Sequence, residues 1–210
     1  MSPVCTTHFY AVRKRKNLFN SKSGKANDPM QTLPILRHSR TIPDLENQIR
    51  EVHRSLADFY RSVPLDLFTS DGVPEGWSAK RNLMHVTKTN FLIVIWSKLP
   101  KWVLRIWPKP NNTDSLERLQ ATNRPGISEY GSYLKSEPFS EQEREKLIEK
   151  MLLSSEKVVQ SLSKRTEEDM DKFTAFISGA SIRMFYHFLL KHNIHHTNVV
   201  RIRLKATLKV

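Results

Sequence analysis

The chain has 210 residues, of which 39% are hydrophobic, and a formal net charge of +13. That length suits one domain of ordinary size plus a tail, and no apolar run approaches the ~18 to 20 residues that a membrane-spanning helix needs. The single cysteine, Cys5, excludes a disulfide framework and a thiolate metal cluster, so a reducing, cytoplasmic setting is expected.

The positive charge is unevenly placed. Residues 1–40 carry Arg13, Lys14, Arg15, Lys16, Lys22, Lys25, Arg37 and Arg40 against the single acid Asp28, which is about seven of the thirteen excess charges. Clustered cations invite a nucleic-acid reading, but the body is only mildly basic, and nucleic acid is not its expected partner. Residues 1–40 lack hydrophobic periodicity, and Ser21-Lys22-Ser23-Gly24-Lys25 has the composition of disorder. Residues 1–29 read as a true tail, as an organelle presequence, or as sequence ahead of a translation start at Met30.

Four long helices are expected in the body, residues 41–207. In the first, Leu45, Ile49, Val52, Leu56 and Phe59 step by four and three residues, opened by Pro43 with Asp44 and Glu46 and closed at Pro64. The second runs from Ala79 to about Trp96 behind the N-cap Ser78. Asn82 and Asn90 on it suit a pocket or, more ordinarily, an exposed helix face. Five prolines between residues 97 and 138 (Pro100, Pro108, Pro110, Pro125, Pro138) predict a long connection with one short helix around Val103 to Trp107. Trp96, Trp102 and Trp107 alternate there with Lys98, Lys101, Arg105 and Lys109. Such a run suits a membrane interface or a single-stranded nucleic acid, but aromatic packing of the loop over the bundle is the simpler expectation.

Ser140 with Glu143 predicts a capping box at the start of a third helix, to about Arg165, whose core face is Ile148, Met151, Leu152, Val158, Val159 and Leu162. Glu167, Glu168, Asp169 and Asp171 read as a solvated helix start. After Gly179-Ala180, a fourth helix is expected from Ser181 to about Leu204, with Phe185, Phe188, Leu189, His192, His196 and Val199 inward. Arg201, Arg203, Lys205 and Lys209 suit its last turns electrostatically. Strand signals are nearly absent.

Two histidines on that last helix carry the chemistry. At about 100° per residue, His192 falls near the centre of the apolar stripe and His196 about 40° away, so both imidazoles reach one ion from a single face. His195 lies on the other flank, and His187 points to the surface. Inward histidines are often satisfied by core hydrogen bonds alone, but two one turn apart in an apolar interior need partners for several ring nitrogens. A divalent ion accepts a lone pair from each. His85, in the second turn of the second helix, is the candidate third ligand.

The segment Trp77-Ser78-Ala79-Lys80-Arg81-Asn82-Leu83-Met84-His85-Val86 resembles the Trp-Ser, helical turn, Leu, His pattern of the DinB/YfiT-like family. His192-Asn193-Ile194-His195-His196 resembles that family's closing pair of histidines. With the first helix ending at Val63-Pro64 and Gly179 ahead of the last helix, the resemblance covers roughly residues 41–205. It implies an all-α, up-down-down-up four-helix bundle in which His85, His192 and His196 hold nickel or zinc beside an open pocket. It further implies a metal-dependent hydrolase or thiol S-transferase, acting on a small electrophilic substrate through metal-bound water or thiolate. The thiol would be a low-molecular-weight one such as bacillithiol, mycothiol or glutathione, and a homodimer is compatible with the fold. The chain departs from the family after His196, where Thr197, Asn198 and Val199 replace a frequent glutamine. The alternative of another class is a catalytically inactive helical binding module, associated with nucleic acid through its basic tail.

Overall fold

The computed structural model describes residues 32–73, 76–106, 116, 132–133, 138–175 and 180–208. Expectations placed on residues 1–31, Trp107, Pro108, Lys109, Pro110, Pro125, Gly179 and Lys209 lie outside these. In chain order the elements are α1 (Ile42–Ser62), α2 (Leu65–Phe68), β1 (Gly72–Val73), α3 (Ala79–Ser97), α4 (Lys101–Leu104), β2 (Ser132–Tyr133), α5 (Glu141–Leu162), α6 (Glu167–Lys172) and α7 (Ile182–Leu208). The described chain is predominantly helical. Its one sheet is a two-residue antiparallel pairing of β1 with β2. No helix among the described residues is long and apolar enough to cross a membrane.

The long helices form where periodicity and caps agree. Thr41 accepts a hydrogen bond from the Asp44 amide at the head of α1, and the predicted stripe Leu45, Ile49, Val52, Leu56 and Phe59 is buried. Pro64 then holds Val63 extended and stops the helix. Ser78 caps α3 by accepting from the Arg81 amide. The capping box expected at α5 does not form, because Ser140 makes no side-chain cap bond; Glu141 and Glu143 still place negative charge in the first turn.

Cross-helix contacts set the directions. Arg50 meets Glu156 and Arg61 meets Glu145, so α1 and α5 run oppositely. His53 meets Asn193 and Tyr60 meets Thr197, so α1 and α7 run the same way. Asn82 meets His196 and His85 meets His192, so α3 opposes α7. Asn90 meets Ser154, and Arg165 donates to the Ser97 and Leu99 carbonyls, so α3 and α5 are parallel.

Several boundaries and faces differ from expectation. The body begins before residue 41: Leu33 and Leu36 pack on the core, and Ser39 is buried with its amide donating to His187 Nε2 at 3.2 Å. Gln48 holds this strap by donating to the Ser39 hydroxyl and the Arg37 carbonyl. His187 is therefore a core residue, not a surface one. The short helix after Pro100 comes two residues early, and Trp102 is 66% exposed instead of pinned to the bundle.

The acidic run is more than a solvated start. Thr166 and Asp169 form a reciprocal capping box, Asp169 pairs with Lys101 at 2.8 Å, and Glu167 and Asp171 both bind the buried Arg183. Arg203, read from the sequence as suiting the last turns of the helix electrostatically, is buried. Its guanidinium lies against Gly72 and Gly76, where a Cβ at Gly72 would come within 1.6 Å of it, and 6.0 Å from the Tyr133 ring centroid.

Candidate metal centre

The interior side of α7 is formed by Tyr186, Leu189, Leu190, Asn193, Thr197, Val200 and Leu204. His192 and His196 flank that side, half-buried, instead of sitting at its centre, and Phe188 and Val199 share their partial exposure. The face is turned because Asn193 and Thr197 are accommodated in the interior by hydrogen bonds that no hydrophobicity pattern records. This flanking position leaves both histidines half-buried rather than sealed in the core.

His85, on the antiparallel α3, completes the group. One ligand nitrogen from each of His85, His192 and His196 lies within 4.8 Å of the others, and these three residues could hold a metal ion. The Nε2 atoms of His85 and His192 are 3.2 Å apart. A tetrahedral ion with bonds of about 2.0 to 2.1 Å sets its nitrogen ligands about 3.3 Å from one another, so this pair is already at the required separation. Ring centroids within the group are 4.4 to 5.0 Å apart. His195 touches only the edge of His196 and lies outside the ligand group, as its flank position predicts.

Hydrogen bonds select the tautomers. Asn82 donates through Nδ2 to the Trp77 and Ser78 carbonyls, which leaves its Oδ1 facing His196 Nδ1 at 3.1 Å. His196 Nδ1 is then the donor, and its Nε2 carries the lone pair. Asn193 spends its amide hydrogens on His53 Nε2 and Asn90 Oδ1, so its Oδ1 accepts from His192 Nδ1 at 3.4 Å. His192 Nε2 likewise keeps a lone pair. Burial pulls the His192 pKa down to about 4, with His85 and His195 adding repulsion and the Asn193 contact opposing, so the ring is neutral at pH 7. The donor set therefore fits a divalent ion that prefers imidazole nitrogen.

Beneath the histidines lies a buried polar network. His53 Nδ1 donates to the Ile49 carbonyl at 2.8 Å, which makes its Nε2 an acceptor for Asn90 and Asn193. Asn90 also donates to Ser154 Oγ, which in turn donates to the Met151 carbonyl. Asn82 and Asn90 are thus interior residues, not exposed helix asparagines. His53 escaped the sequence reading, although it lies only about 40° from Ile49 on the α1 wheel and so on the apolar side.

The cleft outside the group is lined by Trp77, Arg81, Met84, His85 and Lys88. Trp77 stacks on His196 at 5.9 Å and presents its edge to His85 at 5.1 Å, walling one side. Searches of protein-family models, curated proteins and solved structures returned no match to this chain.

Proposed function

We propose that the protein is a metal-dependent hydrolase or thiol S-transferase of the DinB/YfiT-like kind, holding nickel or zinc on His85, His192 and His196. The observation that carries this reading is the convergence of three imidazoles beside a cleft that His85 lines, with tautomers that leave a lone pair on Nε2 of His192 and of His196. The helix directions described above support an up-down-down-up bundle, the frame that the resemblance implies.

A divalent ion supplies a Lewis acid that lowers the pKa of a water or thiol in its remaining position toward neutral. The residues of the chain supply orientation and shielding. Asn82 fixes the His196 ring and Asn193 the His192 ring, the roles that outer hydrogen-bond partners play at histidine-ligated metals. Asn82 thus serves where the family's glutamine is missing. Trp77 covers one side of the triad and limits water there.

Protein stripped with chelator and reloaded with nickel or zinc tests the proposal, using an activated aryl halide with glutathione and, separately, an activated ester. Turnover of one substrate class only after reloading, and its loss in His192→Ala, is the expected result. Reloaded protein that turns over neither class at a rate above the stripped form would overturn the enzymatic reading.

A further inference from the structure

Among the described residues, the cleft beside the triad carries charge of one sign. Arg81 and Lys88 stand four residues before and three after His85, so they share its helical face about one turn to either side. Both are exposed, and α3 contains no Asp or Glu along its whole length. Several arginines elsewhere are neutralised by acids: Arg50 pairs with Glu156, Arg61 with Glu145 and Arg183 with Asp171. Arg81 and Lys88 form no ion pair with any described residue. The three imidazoles of the group offer no counter-charge, and a bound divalent cation would add to the positive field. Trp77 lines the same cleft with an apolar ring.

From this juxtaposition we infer that the cleft takes a small ligand bearing a carboxylate, which Arg81 and Lys88 hold while the reacting group of the ligand lies at the histidines. The inference rests on the metal-centre reading. A guanidinium and an ammonium on one face give a carboxylate charge-assisted hydrogen bonds, and because both cations are exposed the gain is modest and screened by salt.

The test uses the full chain loaded with cobalt(II), whose thiolate absorption reports binding without turnover. Two thiols that differ in charge, 3-mercaptopropionate and 2-mercaptoethanol, are titrated into wild type and into the double variant Arg81→Gln/Lys88→Gln. The ratio of their affinities is compared between proteins, so intrinsic differences between the thiols cancel. We expect 3-mercaptopropionate to gain about tenfold over 2-mercaptoethanol in wild type relative to the variant at low salt, with cobalt content and 2-mercaptoethanol affinity the same in both proteins. Cobalt uptake with equal ratios in the two proteins overturns this inference alone. A wild-type chain that takes up no cobalt overturns the metal reading, and this inference with it.

Discussion

Asn82 shows how much of the site rests on a side chain that does not itself face the ligand. Its amide is pinned by the Trp77 and Ser78 carbonyls, and its oxygen then holds His196 Nδ1 at 3.1 Å. Replacement of Asn82 by Ala removes the acceptor and frees the ring, and metal affinity should fall about 10- to 100-fold in a chelator competition, while metal remains bindable. His187 makes a different residue-scale prediction. Burial brings its pKa down to about 4, His38 and Arg183 add to the shift, and the Ser39 amide and Asp44 oppose it. The unfolded chain takes up this proton near pH 6.5, the folded one only near 4, so the contribution is fully present above the unfolded value and is lost as pH falls through the interval. Between pH 7 and pH 5 this one group should cost roughly 2 kcal/mol of stability. Urea denaturation at the two pH values should show a smaller loss in His187→Gln than in wild type. Of the triad, His192 and His196 were legible from their spacing, whereas His85 was reached through the resemblance of its Trp77-Ser78 segment. His53 and His187 were not, because what buries them is hydrogen bonding to Asn90 and Asn193 and to the Ser39 amide, contacts between segments distant in sequence.

At the scale of elements, α6 is held to α7 by one buried arginine. Arg183 donates to Asp171 at 2.6 and 2.9 Å and to Glu167 at 2.8 Å, and Glu167 also accepts from the Ile42 amide at the head of α1. The two carboxylates remain half-exposed or more, so removal of the arginine does not strand a buried charge, which limits the cost. Arg183→Ala should lower the unfolding free energy by roughly 1 to 3 kcal/mol in urea titration, with metal content unchanged, since the ligands lie two turns and more along α7. Helix positions were readable because Pro43, Pro64, Ser78 and Pro100 punctuate strong periodic stretches. The orientation of α7 was less so. Its stripe of Phe185, Phe188, Leu189 and Val199 suggests one inward face, whereas Asn193, Thr197 and Arg203 are buried and turn the helix toward themselves. A hydrophobicity pattern treats those three as solvent-facing, and the error displaces the histidines from centre to flank.

For the whole molecule, that displacement makes a buried pair of histidines into a reachable site. With α3 antiparallel to α7 and offset so that His85 meets His192, the triad reaches the cleft of Trp77, Arg81 and Lys88 through His85. The overall helical character followed from the sequence, as did the absence of a membrane-spanning helix among the described residues. The β1–β2 pairing and the Arg203 plug beneath it did not, because Gly72, Tyr133 and Arg203 come from three remote segments and carry no local signal for one another. The histidines alone bind that architecture to a chemistry. Metal content of the purified chain, measured by elemental mass spectrometry in wild type, His85→Ala and His192→Ala, tests it most directly. Near-stoichiometric nickel or zinc in wild type, lost in both variants, is the predicted result. A wild-type chain without divalent metal even after reconstitution, or one whose metal persists in both variants, would contradict it.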